Sequence, residues 1–160
     1  MARVKRVSTG KIKRFFSQDH LEVDRAMENL KNALFNLRYE DKASLAKNLT
    51  DTKHALHFLE TKLIAHMAME EKAMFPLVKR SFPKYGPLIR FFCAEHKNLK
   101  KYIREIRHLL RGSSERSCGS KKAGETVRTL RECGFCLLYL LRGHGRAENA
   151  SVYRASRADR

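Results

Sequence analysis

The stretch Leu63-Ile-Ala-His66-Met-Ala-Met-Glu70-Glu71-Lys-Ala-Met-Phe-Pro76 decides how this chain folds. Residues four apart on a helix lie one above the other, so His66 and Glu70 project together. Their stripe is otherwise apolar. Leu45, Leu49, Leu56, Leu59 and Leu63 come before, Ala73 and Leu77 come after, and Thr52 alone interrupts. A histidine and a carboxylate facing a helical core are costly unless something satisfies them. A metal ion would do so if the rest of the chain supplies further ligands.

Three other segments carry stripes of the same kind. A first helix is expected from Ser17, a plausible N-cap, to about Arg38, with His20, Val23, Met27, Leu30, Leu34 and Leu37 on one face. Tyr39 to Ala43 reads as a polar turn. The second helix, which carries the opening stretch, runs from about Ser44 to Arg80, and Pro76 is placed to kink or stop it. Ser81 to Pro87, with two prolines and a glycine, is a connection. The third helix is expected from Leu88 to Arg111, with the stripe Ile89, Phe92, His96, Leu99, Ile103, Ile106 and Leu110. Gly112 to Gly124 is rich in Ser, Gly and Lys and reads as a mobile loop. Its Gly119-Ser-Lys-Lys is no phosphate loop, because no strand precedes it. The fourth helix runs from Glu125 to Tyr153 through Val127, Leu130, Gly134, Leu137, Leu141, His144, Glu148 and Val152.

Four helices with short connections imply an all-α, antiparallel up-down-up-down bundle. The bundle is expected over residues 17–155, with a basic N-terminal arm at 1–16 and a short C-terminal tail at 156–160. Phe15 and Phe16 would tack the arm to the body.

Composition agrees with a folded domain. The chain has 160 residues, 42% of them hydrophobic, with 3 Pro and 8 Gly. Lys and Arg number 34 against 17 Asp and Glu, which leaves a net charge of +17. Such a charge favours an anionic partner such as nucleic acid, anionic lipid or an acidic protein. With no base-reading motif, any nucleic-acid binding is expected to be independent of sequence and strongly salt-dependent. The 4 Cys follow no secretory leader, so reduced thiols and a cytoplasmic location are expected. No stretch reaches the roughly 20 apolar residues a membrane span requires. Cys133-Gly-Phe-Cys136 sits on a helix without the strand context of a thioredoxin-like pair.

Of 7 histidines, His20, His66, His96 and His144 sit on core stripes, one per helix, while His54, His57 and His108 fall off them. Glu70 and Glu148 each lie four residues after a core histidine. The pattern is therefore a repeat of two helical hairpins, each offering two His and one Glu, with 46 residues from His20 to His66 and 48 from His96 to His144. At about 1.5 Å rise per residue, the paired histidines match in height to within about 6 Å, one helical turn. Imidazole and carboxylate together suit iron, zinc or manganese. Six ligands exceed the needs of one tetrahedral zinc and suit two ions sharing bridging carboxylates.

These residues carry a family resemblance. His20 after Asp19, His66-x3-Glu70-Glu71 followed by Met-Phe-Pro76, Glu95-His96, and His144-x3-Glu148 resemble the hemerythrin-like, or HHE cation-binding, domain over about residues 17–153. The resemblance implies a four-helix bundle holding an oxo- or hydroxo-bridged di-iron centre that binds dioxygen or responds to it. It implies His20, His66, His96 and His144 as terminal ligands, with Glu70 and Glu148 as bridges. Two departures separate this chain from the oxygen carriers of that family. Lys100 stands where the carriers have a second histidine on the third helix. The last carboxylate is Glu148, one position earlier than the carriers' Asp. Both favour the HHE-type variant, and the missing imidazole points to a sensor that oxidises readily in air.

Some neighbours take blander readings. Glu71 is expected to be a solvated neighbour, Asp24 to lie in a supporting or surface position, and Met67, Met69 and Met74 to pack. Gly143-His144-Gly145 is expected to loosen or bulge the fourth helix, since each Gly costs about 1 kcal/mol. No nucleophile or general base stands outside the ligand set, so no catalytic residue is assigned. The functional expectation is a non-haem di-iron protein that binds or senses dioxygen, nitric oxide, peroxide or iron supply. The alternative is a basic module for nucleic acid or an acidic protein, with a structural metal site.

Overall fold

The structure, a computed structural model, describes residues 9–38, 41–115 and 120–153. Four long helices form it: α1 (Thr9–Asn36), α2 (Lys42–Met69), α4 (Gly86–Glu115) and α5 (Ser120–Glu148), with the short α3 (Phe75–Ser81) between α2 and α4. No strand occurs among the described residues. The helices pack as a ring in which α1 touches α2 and α5, and α4 touches α2 and α5.

Neighbours run in opposite senses. Between α1 and α2, Glu22 meets Lys62 at 2.6 Å, while Asn48 reaches the Arg38 carbonyl at 3.5 Å. Between α2 and α4, Glu71 faces His96 and Glu60 faces Arg107. Between α1 and α5, Glu28 pairs with Arg142 and Phe35 with Phe135. α4 and α5 meet at Glu95 and His144. This is the antiparallel bundle the stripes imply.

The stripe residues form the core. Leu30 and Leu34 from α1 with Leu37 just after it, Leu59 and Leu63 from α2, Ile103, Ile106 and Leu110 from α4, and Leu130 and Leu137 from α5 are buried in one cluster. Thr52, the polar interruption, is buried without cost because its hydroxyl donates to the Asn48 carbonyl at 2.8 Å. His54, His57 and His108 are exposed, as their place off the stripes requires.

Several element ends differ from the sequence expectation. α1 begins at Thr9, so Ser17 lies inside the helix and not at its N-cap position. Thr9 to Phe16 contains no proline, and its Lys, Ile, Arg and Phe residues all tolerate helix, so nothing stops the first helix at Ser17. The arm before Thr9, the packing of Phe15 and Phe16, and the tail at 156–160 lie outside what is described. α2 starts at Lys42 because Asp41 caps it, accepting from the Ser44 amide at 2.8 Å while the Ser44 hydroxyl satisfies the Asp41 amide. Much of the expected loop at 112–124 is helix. α4 continues to Glu115 and α5 starts at Ser120, and a side chain at Gly112 or Gly124 would meet nothing.

Two wide turns matter for function. Glu70–Met74 is π-helical, and Asn149–Tyr153 is as well. The first begins on Glu70, the last residue of its His-x3-Glu unit, and the second begins directly after Glu148. The first adds one residue to the turn, so the buried stripe moves on by one position. Met74, Phe75 and Val78 are buried, and Ala73, expected inside, is exposed. Pro76 falls in the first turn of α3, where its missing amide hydrogen is tolerated, so the chain continues as helix past it. The expected bulge at Gly143-His144-Gly145 is absent. α5 is regular through Glu148, and the wide turn comes after it.

Candidate metal centre

The polar layer lies between two apolar clusters. On one side is the main core. On the other, Met74, Phe75, Val78, Ile89 and Phe92 form a smaller cap. Between them His66, Glu70, His96, His144 and Glu148 are all buried, and the side chain of His20 is 19% exposed. Phe75 stacks on the His96 ring at 5.7 Å, and Phe92 meets the His144 ring edge-on at 5.4 Å. Across the layer, the His20 and His66 rings meet edge-on at 4.5 Å. The His96–His144 half is therefore roofed by aromatic rings, and the His20 half is the one nearest solvent.

All six side chains singled out from the sequence converge. Two overlapping groups form, each with one potential ligand atom per residue and all such atoms within 4.8 Å of one another. One is His20, His66, Glu70 and Glu148. The other is Glu70, His96, His144 and Glu148. Both carboxylates are common to the two groups. Glu70 is central: its Oε1 lies 3.1 Å from His66 Nε2 and 3.9 Å from His20 Nε2, and its Oε2 lies 3.3 Å from His96 Nε2. Glu148 Oε1 is 3.6 Å from His144 Nε2.

The donor set fits a cation. Among the described residues, both oxygens of Glu70, both of Glu148 and His66 Nδ1 are buried without a partner in hydrogen-bond geometry. Orphans of this kind are rare in native proteins and call for an explanation. The histidines of the roofed half give a second indication. His96 Nδ1 donates to Glu71 at 2.8 Å, and His144 Nδ1 donates to Glu95 at 2.9 Å. A carboxylate can only accept, so both protons sit on Nδ1 and both Nε2 atoms present lone pairs. Yet those two Nε2 atoms face each other at 3.2 Å. Protonating one ring twice would relieve them, but burial pushes the His144 pKa down, against the pull of Glu95. A cation beside both lone pairs resolves the conflict.

Electrostatics separates the two shared carboxyls. Burial would push Glu70 up, but His20 and His66 beside it hold it far below the ordinary carboxylate range. Glu148 has no such cage. Burial, then the charge of Glu70, pushes it up to about 10. Without a cation, the layer keeps one carboxylate ionised and the other protonated, as expected for two acids in one dry site.

The sequence model of the hemerythrin HHE cation-binding domain matches residues 11–155. The chain belongs to this family. Comparisons with curated proteins and with solved structures give no match. Domains of the hemerythrin HHE family bind metal ions, usually iron, and the two His/Glu groups here are able to hold one. Among the described residues, no helix is long and apolar enough to cross a membrane.

Two functional side chains escaped the sequence reading of this hemerythrin HHE domain. Glu71 is not merely a solvated neighbour. It holds His96 Nδ1, and His96 and Lys100 keep its carboxyl below the usual range although burial opposes them. Glu95, noticed only as the residue before His96, orients His144. The available signal was position: each flanks a core residue by one, so it points sideways from the stripe toward the neighbouring helix. Asp24 is exposed, a surface residue. Met67 and Met74 are buried, as packing requires, whereas Met69, also expected to pack, is exposed. Lys100 meets Glu71 Oε1, the oxygen that holds His96 Nδ1, at 3.6 Å.

Proposed function

We propose that this protein is a non-haem di-iron protein that binds or senses dioxygen or a related small species: nitric oxide, peroxide or iron itself. His20 and His66 would hold one ion, His96 and His144 the other, and Glu70 and Glu148 would be shared. The observation that carries this reading is that the two four-residue groups overlap in both carboxylates. When bound, iron supplies open coordination positions and a one-electron redox couple. The chain's own residues do the rest. Glu71 and Glu95 fix a proton on each Nδ1, so both Nε2 lone pairs are turned inward. Phe75 and Phe92 exclude water from one half, and the partial exposure of His20 leaves small molecules a way in on the other.

Lys100 favours sensing over storage. The second imidazole of a carrier would stand at its position, but its ammonium is turned to Glu71. That half of the layer is left with two imidazoles, so its ion would have fewer nitrogen donors, which favours the ferric state. Elemental analysis of protein purified without added metal should find two iron ions per chain, accompanied by ferric charge-transfer absorption. Protein without iron would refute the reading in favour of a basic module with a structural ion. Stopped-flow mixing of the reduced protein with air-saturated buffer should show rapid, irreversible oxidation that slows in Lys100→His. A long-lived spectrum that reverses on removing oxygen would mark a store instead.

A further inference from the structure

The outer face of α4 carries a second candidate site, built from residues other than the six that would hold metal. Lys97, Lys100, Arg104 and Arg107 line a cavity of about 360 Å³ at the α2–α4 seam. Ile64 and Ile103 supply its apolar walls, and Glu60 is its one acid. The spacing of three, four and three residues keeps the four cations on one helix face over about 15 Å. Two of them are answered: Arg107 pairs with Glu60 at 3.1 Å and Lys100 with Glu71 at 3.6 Å. Lys97 and Arg104 have no ion pair among the described residues.

Stacking like charges along one face is unfavourable, and a solvated face relieves it by alternating signs, as Lys101 and Glu105 do nearby at 3.8 Å. The groove does not. A concave site in which cations outnumber acids four to one has a net positive field that gathers counter-charge. Its volume lies within the roughly 300–1,000 Å³ of small-ligand sites. Arginine matches phosphate oxygens in a fork, and lysine adds a point charge. Ile64, 43% exposed, offers an apolar surface beside them. A continuous nucleic-acid strand fits less well, because the Glu60 carboxylate on the α2 side would repel its backbone.

We propose that this groove binds a small anion bearing adjacent phosphates, a di- or triphosphate group. The site stands whether or not the buried layer holds iron.

Calorimetric titration of the full chain with inorganic pyrophosphate and with a nucleoside diphosphate tests it. One equivalent of pyrophosphate should bind, and Lys97→Glu/Arg104→Glu should weaken binding by at least about tenfold. Neither substituted residue pairs with Glu71 among the described residues, so metal content should stay unchanged. Should charge reversal disturb folding, judged by circular dichroism, Lys97→Gln/Arg104→Gln makes the same test. Tighter binding of the nucleoside diphosphate would assign the ligand to nucleotides seated on Ile64. Equal binding would assign it to the phosphate group alone. Both outcomes support the site. Undetectable pyrophosphate binding, or binding untouched by the double substitution, would overturn it. So would a short single-stranded oligonucleotide that binds more tightly than pyrophosphate and is lost in the same variant, because the groove would then belong to nucleic acid.

Discussion

Glu71 and Glu95 each hold a histidine that belongs to a different helix from their own. An oriented imidazole presents its lone pair inward without searching for it, and losing such support typically costs a metal site about 10–100-fold in affinity. Glu71→Ala and Glu95→Ala should therefore each weaken metal binding by about that factor, measured by competition with a chelator. Glu71→Gln should lose less, because its amide oxygen still accepts from His96 Nδ1 and only the charge is gone. Equal affinity in all these variants would mean that packing alone orients the rings. Glu70 and Glu148 were legible in the sequence because each shares a helical stripe with its histidine. Glu71 and Glu95 were not, because a hydrogen bond between helices leaves no period in either sequence.

Two glycines of α5 should respond in opposite directions. A β-carbon at Gly134 would fall 2.5 Å from Leu34 Cδ1 and 3.2 Å from Leu34 Cγ, and Leu34 is fully buried, so α1 and α5 approach closely there. Gly134→Ala gains helix propensity but overpacks the core, at about 1–3 kcal/mol. A net loss of stability is expected in denaturant unfolding, partly restored by Leu34→Val. At Gly143 a β-carbon would meet nothing, so Gly143→Ala should stabilise by about 0.4–1 kcal/mol. The same contrast explains what the sequence could convey about elements. Helix identity and the buried face followed from apolar spacing, since one face of each helix is covered by its neighbours. Helix ends did not, because glycines such as Gly112 and Gly124 are tolerated in helix where nothing demands otherwise. The slip from Ala73 to Met74 was also hidden. A wide turn inserts one residue without changing composition, and only the buried cap of Phe75 and Val78 reveals it. A wide turn lies at the end of each His-x3-Glu unit, one starting on Glu70 and one just after Glu148, which extends the internal repeat from ligands to backbone.

The whole molecule is built as two apolar cores separated by a charged layer, and its stability should depend on what occupies that layer. In metal-free protein, Glu148 is pushed up to about 10 by burial and the charge of Glu70. Folded chains then hold a proton that unfolded chains have released. Its stabilisation is complete below the usual carboxylate range and is lost as pH rises toward that raised value. Glu70 acts the other way, but its contribution is lost only as pH falls below the usual carboxylate range. His144, lowered first by burial, contributes fully once the ordinary histidine range is passed. Between about pH 7 and about pH 8.5, the Glu148 contribution therefore sets the slope of this layer. Metal-free protein should melt at progressively lower temperature across that interval. Metal-loaded protein should not, because a bound cation keeps both carboxylates ionised, and loading should release a proton near pH 7. At 100-fold excess over Kd, the cation should add about 2.7 kcal/mol to stability. Thermal unfolding followed by circular dichroism, with chelator or with added ferrous ion under anaerobic conditions, checks both parts. A metal-free protein whose melting temperature rises over the same interval would show that Glu148 is already ionised in the empty layer. The proton accounting of the site would then have to be reversed.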